Sequence, residues 1–347
     1  MRKKAYFKSV TIFLSILLVF SQLQLFSLPA YGETVSDQPL LFRSVGVAQS
    51  GTTYYVDGEG GNNANDGQSP ASAWRDFEKV NQTEFQPGDH LLLNAQSTWN
   101  NQLLHPKGNG TAAQKIVIDF YDTNDKGETI FETTRRPIIN GGGTYSTGTF
   151  KRAISGAVQL VNQEYWDISN LEVTNTPELD NLEGYKKPGD AQRAGILVLG
   201  YEQNRTFNSV TIRNNYVHDV QTEYYLNLSG NTATKRLKAV GGIIVLGSWF
   251  DENGNVVTAA NDHRTTTGFN DILIENNVIQ RVGLEGIRTK ADSDTSRGNT
   301  FYKTFSNITI RNNYLEDIAG DGIVLSEAKS GGVVEGNVAV RMCNADY

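Results

Sequence analysis

A single cysteine, Cys343, stands among 347 residues, so no intramolecular disulfide is available and any exported form must hold its fold without one. Proline is scarce, 8 residues against 34 glycines, and charged residues make up only 20%. With a hydrophobic share of 38%, this composition excludes a disulfide scaffold, a collagen-like rod and a disordered tail. No histidine–cysteine cluster has zinc spacing. Neither a Gly-x-Ser-x-Gly elbow nor a phosphate loop occurs, and Gly141-Gly142-Gly143 reads as a turn rather than a nucleotide fingerprint. No basic–aromatic stripe points to nucleic acid. Past the first residues, no apolar run is long enough to cross a bilayer.

What is present begins with an address. Arg2, Lys3, Lys4 and Lys8 precede the apolar run VTIFLSILLVF (10–20), and Ala30-Tyr31-Gly32 sets small residues at both cleavage-determining positions. Residues 1–32 therefore read as a secretory signal peptide, and the expected location is extracellular. The apolar run is shorter than the ~20 residues of a membrane span, which disfavours an uncleaved anchor. Cleavage leaves 27 basic and 38 acidic groups, so the net charge moves from −7 to −11. That balance points away from nucleic acid, anionic membranes and long polyanions such as polyuronates.

Residues 33–52 form a polar leader, and 53–115 hold an N-terminal cap with the first strands. Thr53–Val56 is strand-like, 57–67 is dense in turn residues, and Trp74, Phe77 and Val80 recur at helical spacing. The spacing predicts a short capping helix over 74–80. From about 116 the chain repeats itself. VTIRNNYVHDV (210–220) returns as ILIENNVIQRV (272–282) and ITIRNNYLEDI (308–318), with weaker copies WDISNLEV (166–173) and VVEGNV (333–338). A second motif interleaves: AGILV (194–198), GGIIV (241–245), EGIRT (285–289) and DGIVL (321–325).

Within each copy the apolar residues fall two apart, the period of a strand with one buried face. Strand–corner–strand units repeated in register cannot close a core singly and must stack. The expected fold is all-β: a right-handed parallel β-helix over 116–347, with a short N-terminal capping helix. Rungs ~4.8 Å apart would let Asn215, Asn277 and Asn313 form one hydrogen-bonded column. The stretches TYYVDGEGGNNANDGQSPASAWRDFEKVN (53–81) and PGDHLLL (87–93), with the repeats, resemble the secreted bacterial β-helix proteins of the pectin-lyase-like superfamily. That resemblance covers the mature chain. It implies carbohydrate-active proteins, among them glycoside hydrolases, polysaccharide lyases and non-catalytic members. Similar proteins run on for several more rungs, so a continuation beyond Tyr347 is expected.

A dry core leaves chemistry to outward side chains and inserted loops. On the second motif the outward positions are apolar in early rungs (Leu197, Ile244, Leu199, Leu246), so a cover is expected over them. They switch to Glu285, Arg288, Lys290 and Asp321 in later ones. Glu285 and Asp321 share one register, ~5 Å apart if their rungs are neighbours. Two carboxylates that close can push one pKa up and yield an acid beside a base. A separation near 5 Å suits a retaining glycosidase and ~6.5–9.5 Å an inverting one. Asp321 and Glu285 are thus candidate catalytic residues, with Arg288 and Lys290 as substrate binders; the same cations could simply neutralise the acids. Tyr224, Tyr225 and Trp249 are candidates for stacking on sugar rings, or fold back onto the wall. His218 reads as a surface residue.

The leading function is a secreted glycoside hydrolase acting on plant or microbial polysaccharide. One alternative is a polysaccharide lyase with Lys290 or Arg288 as base and Ca²⁺ at the Asp292/Asp294 loop. Another is a non-catalytic carbohydrate-binding or cell-surface solenoid. No metal ligand set or cofactor is expected, apart from Ca²⁺ for a lyase. The expected partner of the monomer is a polysaccharide or oligosaccharide, with no nucleic acid and no membrane after signal cleavage. The turn around Asp57, Asn62 and Asp66 could hold a cation or be a hydrogen-bonded cap loop.

Overall fold

A computed structural model describes residues 41–143, 154–176, 192–221, 240–248, 267–291 and 304–343. The signal peptide 1–32, Tyr224, Tyr225, Trp249 and the Asp292/Asp294 loop lie outside the described residues.

The chain coils as a parallel β-helix walled by three parallel sheets. The first sheet takes Thr53–Val56, His90–Asn94, Ile116–Thr123, Trp166–Ser169, Thr206–Arg213, Gly268–Glu275 and Phe305–Arg311 in turn. The second stacks Thr98–Asn100, Ile138–Asn140, Glu172–Asn175, Tyr216–Val220, Val278–Val282, Tyr314–Ile318 and Val338–Met342. The third stacks Ile154–Val161, Gln192–Gly200, Gly241–Gly247, Glu285–Ala291 and Ile323–Leu325. Repeat copies pair in register: Val210 with Ile272 and that with Ile308, Val217 with Ile279 and that with Leu315. Their side chains, with the Phe207–Phe269–Phe305 stack, make one continuous dry core.

The Asn-Asn corner solves two problems with two residues. The first asparagine (Asn214, Asn276, Asn312) takes a left-handed backbone, φ 56°, 54° and 54°, which asparagine tolerates better than other side-chain-bearing residues. The second points inward and builds the column. Asn215 Nδ2 donates to Asn277 Oδ1 (3.1 Å), Asn277 Nδ2 to Asn313 Oδ1 (3.0 Å), and Asn313 Nδ2 to Asn337 Oδ1 (2.9 Å). Asn337, from a weak copy, thus extends the expected column by one rung. At the other end Leu171 replaces the asparagine and its N–H donates to Asn215 Oδ1.

The helix is displaced from its predicted span and runs Phe77–Gln82. Asp76 caps it by accepting from the Glu78 N–H, which leaves Trp74 ahead of the cap. Trp74 instead bridges to Val56 in extended backbone and stacks on Tyr54, ring centroids 5.0 Å apart. Phe77 and Val80 still face the core as the spacing required. Within the expected leader, Phe42–Arg43 pairs antiparallel with Glu132–Thr133. Val333, Val334 and Val338 of the last rung are exposed.

Two buried titratable groups near the N-terminal coils oppose each other. His105 meets the Gly156 carbonyl through Nε2 (3.0 Å), and burial pushes its pKa down to about 4. Asp119 accepts from Asn170 Nδ2 and the Val45 and Phe120 N–H groups, yet burial raises it to about 6. His105, whose folded value is depressed, supports stability above its unfolded pKa of ~6.5 and loses that support as pH falls toward 4. Asp119, whose folded value is raised, does the reverse: its support is full below ~4 and is lost as pH rises through about 6. A tenfold change in either proton affinity on folding corresponds to ~1.4 kcal/mol. From pH 6 to 4, melting temperature relative to wild type should therefore rise for His105→Gln and fall for Asp119→Asn. Slopes of the same sign in thermal melts would contradict this.

Candidate functional site

The outer wall of the third sheet carries the candidate residues. Its register runs Ala194–Gly241–Glu285, Leu197–Ile244–Arg288–Val324 and Leu199–Leu246–Lys290. Ala194, Leu197, Leu199, Ile244 and Leu246 are all buried, in a cluster of their own outside the main core. These outward positions are thus shielded from solvent although they do not face the main core.

Glycine makes the wall possible. A Cβ on Gly242 would come within 2.7 Å of the Gly286 carbonyl oxygen. One on Gly286 would come within 2.4 Å of the Gly322 oxygen. The recurring glycine of the second motif thus reflects close backbone approach between rungs, and it seats Glu285 directly above its predecessor.

Glu285 is 6% exposed. Its Oε1 accepts from Arg288 Nη1 at 2.7 Å, and the pair is nearly shut off from solvent. Its Oε2 is buried with no hydrogen-bond partner, and so is Arg288 Nε. Burial raises the Glu285 pKa above the usual glutamate range; Arg288 and Lys290 oppose that rise and Asp321 adds to it. Asp321 sits on the next rung: its carbonyl accepts from the Gly286 N–H (2.9 Å) and its side chain is exposed. The structure therefore brings Glu285, Arg288, Lys290 and Asp321 together, and burial makes Glu285 the carboxyl that favours its proton. A protonated carboxyl beside a second carboxyl group can assist cleavage from the two sides of a glycosidic bond. The other candidates, Tyr224, Tyr225 and Trp249, fall outside the described residues.

His218 is more than a surface residue. Its Nε2 meets Glu172 Oε1 (3.1 Å), its Nδ1 meets Asp219 Oδ2 (2.6 Å), and the ring stacks on Tyr216 at 4.0 Å. Arg281, one rung on, holds Asp219 through Nε (2.6 Å) and Nη2 (2.9 Å) and keeps that carboxyl below its usual range. The same pairing recurs between Asp317 and Arg341. The alternation of acid and arginine at 219, 281, 317 and 341 was the available signal, visible once the repeats are aligned. The network straps successive rungs and offers no open donor at His218. Around Asp57 the loop is hydrogen-bonded to itself: Asp57 accepts from the Glu59 and Gly60 N–H groups, and Asp66 from the Gln68 N–H and Ser72 Oγ. Among the described residues no cluster of His, Cys, Asp and Glu is arranged to hold a metal ion.

No protein-family model matches the chain. The chain is 28% identical to a lacto-N-biosidase of Bifidobacterium longum subsp. longum, over 80% of this chain and 19% of that protein. Among solved structures it resembles the GH136 lacto-N-biosidase of Eubacterium ramulus, with a TM-score of 0.57 and 24% identity over 79% of this chain and 43% of that one. The chain thus spans less than half the length of either relative, and what the structural likeness establishes is the shared parallel β-helix.

Proposed function

We propose that the third-sheet wall is the catalytic face of a glycoside hydrolase acting on oligosaccharides, with Glu285 as general acid and Asp321 as its carboxylate partner. The observation that carries this reading is the Glu285 carboxyl itself. One oxygen is pinned by Arg288, while the other is buried, unpartnered and on a residue whose environment favours the proton. Buried carboxylate oxygens in structural ion pairs are mostly hydrogen-bonded. The relatives supply the substrate class: an oligosaccharide from which a lacto-N-biose unit is released. Export through the 1–32 signal peptide belongs to the same proposal.

The lyase alternative fares worse on chemistry. Its base would be Arg288 or Lys290, and the Arg288 guanidinium is already committed to an ion pair with Glu285. The test is to incubate the protein with 4-nitrophenyl β-lacto-N-bioside and follow release of nitrophenol, and separately with a polyuronate and follow the ultraviolet absorbance of an unsaturated product. Nitrophenol release without unsaturation supports the hydrolase. Unsaturated product would establish the lyase. Retention of the sugar with neither product would establish a binding solenoid.

A further inference from the structure

Residues 41–47 cross the outer face of the first sheet as a strap. Phe42–Arg43 pairs with Glu132–Thr133, and the Ser44 N–H donates to the Phe131 carbonyl (2.9 Å). The Val45 N–H donates to Asp119 Oδ2 (2.9 Å), Asn170 Nδ2 donates to the Arg43 carbonyl (3.2 Å), and His90 Nδ1 meets the Gly46 carbonyl (2.9 Å). The Arg136 guanidinium lies over the Phe42 ring, 3.8 Å from its centroid. Leu41, Val45 and Val47 stay exposed, so hydrogen bonds rather than apolar packing hold most of the strap.

The central grip is a carboxyl that is fully buried and meets neutral donors: the Val45 and Phe120 N–H groups and Asn170 Nδ2. Asn170 uses that same nitrogen for the Arg43 carbonyl, so Asp119 reaches the strap twice. The charged groups around it do not compensate. Asp167 on the next coil repels it and has its own counterions in Arg213 and Lys115. Arg43 is paired with Glu132, and Arg136 is drawn more to Glu172 than to Asp119. A dry carboxyl among neutral donors favours its proton, which agrees with a titration near 6 against ~3.9 for aspartate in water.

We infer that residues 41–47 form a pH-sensitive latch, shut over Asp119 in acid and released more readily at neutral pH. Shut, the strap keeps water from the carboxyl; lifted, it returns Asp119 to solvent and to its ordinary acidity. Proton binding therefore favours the shut form. A protonated carboxyl keeps acceptor capacity, so the Val45 bond survives protonation. Opening should rise from pH 4 to 6, by up to about a hundredfold, and level off above. The remaining contacts do not produce this slope. His90 Nδ1 faces a carbonyl and donates whether or not Nε2 carries a proton, and Arg43 and Arg136 stay charged. Protonation of Glu132 in acid would loosen the strap, the opposite direction, and its pair with Arg43 is solvent-exposed and weak.

Hydrogen exchange at the Ser44 and Val45 amides, corrected for intrinsic exchange chemistry, reads the opening constant. Between pH 4 and 7 it should climb by about ten- to a hundredfold. The Asn277 amide, which donates to Asn313 Oδ1 inside the column, should change far less. In Asp119→Asn the climb should vanish, whereas Glu132→Gln should ease opening and leave the climb in place. Carbon-13 titration of the Asp119 carboxyl gives a second readout that leaves the residue intact. Its midpoint should lie near 6 in the unaltered protein and fall toward the ordinary aspartate value in Val45→Pro, which lacks the donor that meets Oδ2. An opening constant that is flat with pH would overturn the latch. So would a climb that persists in Asp119→Asn, or a midpoint that Val45→Pro does not move.

Discussion

Replacing Asn277 with alanine is expected to lower unfolding stability by about 3–5 kcal/mol. The side chain is 1% exposed and fully engaged. Its Oδ1 accepts from the Asn215 N–H (3.0 Å) and Asn215 Nδ2 (3.1 Å), and its Nδ2 donates to the Ile212 carbonyl (3.0 Å) and Asn313 Oδ1 (3.0 Å). Alanine removes these bonds and strands two donors of Asn215 and the Ile212 carbonyl in a dry core. Each stranded group costs about 1–3 kcal/mol, partly relieved by relaxation. Asn337→Ala should cost markedly less, because that residue is at the outer end of the column and is not fully buried. Asn276→Ala should cost only ~1–2 kcal/mol, the penalty of a left-handed backbone without asparagine's tolerance for it. Urea unfolding of the three variants gives the order directly. Equal losses at 277 and 337 would mean the column contributes no more inside than at its rim.

That ordering rests on a column that could be read before any coordinates, and the reason is physical. A parallel stack puts equivalent residues of successive rungs in contact, so similarity along the chain becomes contact in space. Aligning the repeats therefore located Asn215, Asn277 and Asn313, the core valines and isoleucines, and the adjacency of Glu285 and Asp321. The same logic was available for Asp219 and Arg281, but a charge pair written 62 residues apart looks like two solvated side chains until the rungs are superposed. Features that break the repeat were not legible. The helix start depended on Asp76 capturing an N–H two residues on, a choice that periodicity does not encode.

Glu285→Gln should separate the catalytic role from the structural one. If Glu285 is the general acid, the amide cannot protonate a departing sugar oxygen, and hydrolysis of an oligosaccharide should fall by about 10²–10⁴-fold. Release of 4-nitrophenol needs far less protonation, so the aryl glycoside should lose only about tenfold in the same variant. Asp321→Asn should depress both substrates together, because its carboxylate serves the sugar side of the bond whatever the leaving group. Were Glu285 merely the partner of Arg288, glutamine could still accept the Nη1 hydrogen bond and both rates would survive. The pH profile supplies an independent readout. An acid must be protonated to act, so activity falls as pH rises through the Glu285 pKa, which burial places above the ordinary glutamate value. Arg288 holds that value down, and removing its charge with Arg288→Gln should move the basic limb of the profile to higher pH. A limb that stays put, or moves to lower pH, would show that another group carries the proton.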